Sequence, residues 1–272
     1  MDEILMAGNA MRIVNQCANV CAGEDVLIVA DFGLVDTARY LARAAYSIGA
    51  NPTLTIMSVR EVDGSEPTDA VAAAMQTAQV ILMPVQKSLA HSGATAAALR
   101  SGARVLSLTA LSCDLLASDA WDVDFDDMAE TVATVASILS AGSEVKVQSE
   151  AGTDLTFNIA GRLGNAHGCV VREPGQFSAA PNIESSVSPL EGSTNGLLVI
   201  DGSIPYLGIG LVDEPVSMWI RHGRVEEVQG GRAALRIKRV WQEQNDPAVY
   251  NIAQFALGLN PKIRQVEGSL GC

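Results

Sequence analysis

A short β-branched run, a turn and an alanine-rich stretch recur through the first 110 residues, and this repeat constrains the fold more than any other feature. Asp25–Asp31 (DVLIVAD) is a continuous apolar run of the kind that forms a strand buried on both faces. The TARYLARAAYSIGA that follows has helical apolar spacing and ends at Gly49, a glycine suited to a helix cap. NPTLTIM supplies a second strand, EPTDAVAAAMQTA opens with proline and acids as helix starts do, and QVILMPV is a third strand. SGATAAALRSGA and RVLSLTA add a third helix and a fourth strand. Strands joined by helices of this length are parallel, because the helix is the right-handed crossover that parallel neighbours need. The stretches near 25–31, 52–57, 79–84 and 104–108 are therefore expected as adjacent parallel strands of a doubly wound sheet.

One more alanine- and valine-rich helix, DDMAETVATVASILSAG, begins with acids and stops at Gly142, where a boundary is placed. The expectation is an α/β parallel-sheet domain over 1–142 and a β-rich, antiparallel α+β domain over 143–272, with any active site between them. Past the boundary the period switches to two: EVKVQSEAGTDLTFNIAGR alternates across a turn at Gly152, and GLLVIDGSI reads as a buried strand. VSMWIRHGRVEEVQGG reads as a hairpin turning at His222-Gly223. A helix is expected around DPAVYNIAQFALGLN.

Charge and hydropathy remove several function classes. Thirty-one acidic against 18 basic residues give a net charge of −13, which repels polyphosphate and leaves no basic stripe for a nucleic acid. No apolar run reaches the roughly 18–20 residues of a membrane span, and MDEILMAGNAM lacks the positive charge of a secretory leader, so the chain reads as cytoplasmic. The five cysteines are odd in number and scattered, unlike a disulfide framework. Cys17 and Cys21 are four apart, as two ligands on one helix face would be, but with no second pair they read as small buried hydrophobes. ADFGLVDTA after the first strand has a single glycine, so the dinucleotide fingerprint is missing, as are the Walker loop, G-x-S-x-G, H-E-x-x-H and C-x-x-C.

Chemistry is concentrated in REPGQFSAAPNIESSVSPLEGSTNGLLVIDGSI (Arg172–Ile204) and AQFALGLNPK (Ala253–Lys262). At these residues, and at SLAHSGA, SEAGTDLTFNIAGR and HGRVEEVQGG, the chain resembles the aminopeptidase T family and its iron-dependent relatives, the 2,5-dihydroxypyridine 5,6-dioxygenases. The resemblance spans nearly the whole chain. It implies a divalent metal (Zn, Mn, Co or Fe), a small-molecule or short-peptide substrate, and Glu184 of PNIESSVSP as a metal-binding glutamate. A second ligand, acidic in one family and histidine in the other, is implied seven residues before the proline of GLNP, where this chain carries Gln254, a weak neutral oxygen donor. The remaining His and Asp ligands are implied beyond the GSLG point, so an ending at Cys272 reads as a shortened form of a longer protein or as loss of the metal centre. In either case this chain is expected to hold a catalytic metal poorly.

His91 follows the third strand, at the strand end where open α/β sheets bind ligands, and is a candidate acid or base; its bland alternative is a helix-start residue bonded to a loop. Glu184 is expected in a cleft within reach of it. Glu191 is a candidate base or orienting group, although an odd offset of seven from Glu184 places the two on opposite faces of an extended segment; otherwise it braces the Ser193–Asn195 turn. His167 is a loop residue with a weaker claim, His222 a solvated hairpin tip, and Arg162 with Asp154 a turn-and-strand pair holding the domain. The first functional expectation is a metal-assisted amide or peptide hydrolase; the alternatives are a non-haem iron dioxygenase opening a hydroxylated N-heterocycle, and a metal-free relative. Unpaired strand edges and an alanine-rich surface suggest a homo-oligomer.

Overall fold

The computed structural model describes residues 2–205 and 207–263. Its first layer is a five-stranded parallel sheet in the order β2-β1-β3-β4-β8, where β1 is Asp25–Asp31, β2 Asn51–Met57, β3 Val80–Met83, β4 Arg104–Ser107 and β8 Phe177–Ala179. The four strands expected from the repeat are adjacent and parallel. Alternation along each strand feeds two cores. Val26, Ile28 and Ala30 of β1, with Val80 and Leu82 of β3, meet α1 (Asp2–Arg12), α2 (Val35–Ser47) and α5 (Cys113–Ala117), together with Trp121. Leu27, Val29, Ile81 and Met83 face α3 (Asp69–Met75) and α4 (Gly93–Arg100). The sheet is doubly wound because its strands are apolar on both sides.

The fifth strand comes from beyond Gly142. β8 pairs in parallel with β4, the Ala180 N–H donates to the Ser107 carbonyl (3.0 Å), and the Val171 N–H to the Cys17 carbonyl (2.7 Å). Cys169, Val171, Ala180 and Ile183 are buried in the same core as α1 and α2. Between lie α6 (Phe125–Ala141), capped by the Asp124 carboxylate, and the first strands of the second half.

There the expected antiparallel structure is found. β5 (Glu144–Gln148) and β6 (Asp154–Asn158) form the first hairpin; β10 (Asn195–Ile200), β13 (Val216–Arg221) and β14 (Arg224–Gln229) complete a sheet ordered β14-β13-β10-β6-β5. β11 (Ser203–Ile204) and β12 (Gly210–Leu211) make a small ribbon beside it. A separate sheet places β9 (Ile183–Val187) between β7 (Asn165–Gly168) and β15 (Phe255–Gly258). Its odd face packs on α6: the Ser185 hydroxyl donates to the Val132 carbonyl (2.8 Å), and Val187 joins Leu139, Phe157 and Ile159.

One element departs from expectation. The helix lies at α7 (Arg232–Gln244), not around 246–260, where a short 3-10 turn (Pro247–Tyr250) precedes strand β15. α7 buries Ala234 and Ile237, with Trp241 packed beside them, while its arginines and lysine screen that stripe in the sequence. The Asp246 side chain starts the turn and Asn245 leaves α7 in a left-handed conformation, so the helix ends before AQFALG begins. Cys21 also departs from the expectation of burial: it is exposed, whereas Cys17 is buried. Among the described residues no helix is long and apolar enough to cross a membrane. The residues after GLNPKI, on which the expectation about the chain's end rests, lie outside those described.

Candidate functional site

Strand order reverses between β1 and β3, and ligands of open α/β sheets sit at such a point. Here the chain fills it. Asp31, at the end of β1, is 1% exposed, and its carboxylate accepts from the Gly33 N–H (3.0 Å) and the Gln86 N–H (2.5 Å). A Cβ at Gly33 would stand 2.3 Å from the Gln86 amide nitrogen, so the two loops are in contact. The next helix start is also occupied: Glu66 accepts from Gly93 N–H (2.5 Å) and Ala94 N–H (3.1 Å) at α4. His91 is exposed one residue before Ser92, the hydroxyl cap of α4, and makes no side-chain hydrogen bond among the described residues. Asp31, Gln86 and Glu66 carry no motif, and only the positions after each strand pointed towards them.

Glu184 lies in another sheet. It is half-buried as the second residue of β9, directly across from His167 on β7 and Gly258 on β15. His167 is thus a strand residue and not a loop residue. Directly paired antiparallel residues share a face with Cβ atoms about 4.5–5.5 Å apart, so the two side chains leave the sheet as neighbours. The neighbouring row on that face is Asn165, Ser186 and Ala256. Glu184 and His167 form no ion pair or side-chain hydrogen bond among the described residues. The Cys169 thiol is pushed up strongly, first by burial and then by the nearby Glu184 charge, so it is a packing group and not a nucleophile.

The other candidates stand apart. Glu191 sits in the turn after β9, exposed, and Arg162 donates to it at 2.5 Å. Its own backbone N–H and then Arg162 hold its carboxyl below the ordinary value. Arg162 therefore pairs with Glu191, and Asp154 lies near Lys146 (3.9 Å), so the expected Arg162–Asp154 pair does not form. The Ser193–Asn195 turn is held by Ser193 donating to the Leu190 carbonyl (2.7 Å), not by Glu191. Gln254 is exposed just before β15; four residues from the partner of Glu184, it is about 13 Å along the strand from that row. His222 is an exposed hairpin tip. No hydrogen bond or ion pair links His91 to Glu184 among the described residues: His91 is in the turn between β3 and α4 of the parallel-sheet layer, and Glu184 is on β9 of another sheet.

A polar cleft of about 620 Å³ separates α1 from the start of α6, lined by Arg12, Asn15, Gln16, Asp124, Asp126 and Arg172. Both arginines are committed: Arg12 to Asp122 at 3.1 Å and Arg172 to Asp126. Among the described residues no group of three or more His, Cys, Asp or Glu is placed to hold a metal ion. The Glu184 row offers two such donors.

The sequence model of the family described as NicX, 2,5-dihydroxypyridine 5,6-dioxygenase, matches residues 9–268. The chain belongs to that family. A 2,5-dihydroxypyridine 5,6-dioxygenase of Pseudomonas putida is 26% identical over 175 residues, 64% of this chain and 49% of its own length. The matched region thus spans about half of that curated relative. The solved 2,5-dihydroxypyridine dioxygenase of Pseudomonas putida KT2440 has a TM-score of 0.78 at 20% identity, covering 95% of this chain and 77% of the other. Wild-type AmpT from Thermus thermophilus has a TM-score of 0.64 at 15% identity, covering 95% and 79%. These two likenesses are of fold. Both relatives of the resemblance are recovered, and the dioxygenase side is the better matched.

Proposed function

We propose that this chain acts in the ring-opening dioxygenase class, on a hydroxylated N-heterocycle. The observation that carries the reading is the family match over residues 9–268, which takes in the parallel sheet, the Glu184 strand and β15 together. The amide-hydrolase reading, first from the sequence, is supported only by the fold of AmpT. Iron would supply the oxygen chemistry in this class. The donor set does not fit a complete iron centre among the described residues, since Glu184 and His167 are two donors and tight divalent sites take three or more.

Oxygen uptake by the purified protein, supplied with ferrous ion in excess and 2,5-dihydroxypyridine, tests the reading. Uptake that depends on the pyridine and falls at least about tenfold, roughly 1.4 kcal/mol, in Glu184→Ala is the expected result. Release of p-nitroaniline from an aminoacyl anilide with no oxygen uptake would return the assignment to the hydrolases.

A further inference from the structure

The five-stranded antiparallel sheet buries one face, against α7 and its neighbours, and leaves the other open. Alternation sends Val216, Met218 and Ile220 of β13 into the core, so Trp219 between them points outward and is 37% exposed. Direct pairing carries its row across the whole sheet: Glu227, Trp219, Leu197, Asp154 and Gln148 follow one another from β14 to β5 and share the open face. The middle of the row is apolar, and Val199, two residues from Leu197 on the same side of β10, widens it. A carboxylate closes the apolar strip at either end. Each is steadied by a glutamine: the Gln229 amide donates to Glu227 (2.6 Å) and the Gln148 amide to Asp154 (3.3 Å). Each pair keeps a spare amide N–H beside spare carboxylate lone pairs, a combination that two neighbouring hydroxyls satisfy.

Size and charge select the occupant. A nucleic-acid strand could stack a base on Trp219, but its phosphates would meet Glu227 and Asp154 on a chain of net charge −13. A second copy needs about 800 Å² from each partner, whereas five strands some six residues long present roughly 400 Å², of which only the centre is apolar. A pyranose ring with equatorial hydroxyls matches both parts of the face: its C–H faces lie on the indole, and its rim of O–H groups meets carboxylate and amide. Glu227 and Asp154 are three strand spacings apart, about 14 Å, which suits two linked rings. We propose that this face binds a free, flat β-linked disaccharide. One ring stacks on Trp219 with hydroxyls on Glu227 and Gln229, and the other lies over Leu197 with hydroxyls on Asp154 and Gln148. Glu184 and His167 belong to a different sheet, so this site is independent of the ring-opening reading.

Calorimetric titration of the full chain with cellobiose, with indole fluorescence followed in parallel, tests the assignment. Saturable binding is expected, and methyl β-glucoside, which has one ring, should bind about tenfold more weakly. Trp219→Thr places a good strand former at an exposed position and should melt as the wild type does, yet lose cellobiose affinity by at least about tenfold. Trp219→Phe keeps a smaller ring and should fall between the two, while Glu227→Ala and Asp154→Ala should each weaken binding severalfold. No binding of cellobiose by the wild type, or an affinity unchanged in Trp219→Thr, would overturn the site. A dimer in light scattering that Trp219→Thr dissociates, with no sugar bound, would overturn it in favour of a second copy of the chain.

Discussion

Asp31 shows how a single residue closes a place where this sheet type usually opens. Its buried carboxylate holds the backbone N–H groups of Gly33 and Gln86, one from each loop at the strand-order reversal. Asp31→Ala leaves two donors without their charged acceptor and should cost about 3 kcal/mol in urea unfolding, with Asp31→Asn losing less because an oxygen remains. An Asp31→Ala protein as stable as the wild type would show that the loops are held by other contacts. At this scale the sequence is informative only where a side chain belongs to a recognisable motif. The sequence singled out Glu184 in PNIESSVSP and His167 more weakly, but not that the two are paired across β9 and β7, because the pairing of two strands that share no hairpin is a tertiary fact. Asp31 was legible only as the end of an apolar run.

Elements were legible where one period persisted and nothing masked it. The four parallel strands are mostly apolar and bounded by helices with their own period, so their adjacency and parallel direction followed, though not their order. The hairpin at His222-Gly223 was equally plain, and both residues have positive φ, 49° and 76°. A Cβ at Gly223 would also stand 2.8 Å from the Gly192 nitrogen. Gly223→Ala should therefore destabilise by at least about 1–2 kcal/mol in thermal unfolding, and a neutral substitution would contradict the turn geometry. The last helix was misplaced because AQFALG is apolar enough for either element, and its identity as a strand depends on pairing with β9. β8 is three residues long, too short for any periodicity to declare it.

Across the whole molecule, Asp122 connects distant parts of the chain. It accepts from Arg12 at the end of α1 (3.1 Å) and from Lys262 after β15 (2.8 Å). Hydrogen bonds from Lys262 and then Arg12 hold its carboxyl below the ordinary aspartate value. A carboxyl lowered on folding contributes fully above its unfolded value and loses that contribution as pH falls through the folded one. Hydrogen-exchange protection around Leu259–Lys262, taken relative to the intrinsic rate at each pH, should therefore be present near neutrality and be lost only in acid below the ordinary aspartate range. In Asp122→Asn that protection should already be lower at neutral pH, though salt will blunt the difference because the group is exposed. Protection indifferent to both changes would mean that the Asn260 side chain, which donates to the Ala120 carbonyl (2.9 Å), and the Leu259 N–H, which donates to the Ile183 carbonyl (2.8 Å), hold this segment without Asp122.

The strand that β8 lends to the parallel sheet bears on how the protein is made. A ribosome delivers the chain from its N-terminus, and the repeat up to Ser107 has the local pattern to begin folding as soon as it emerges. Yet β4 then presents a bare edge, and Cys169, Val171, Ala180 and Ile183 are missing from the core that α1 and α2 cover. Until roughly the first two-thirds of the chain is outside the exit tunnel, the nascent sheet has an unprotected flank of the kind that invites mispairing, and a chaperone would find its natural substrate there.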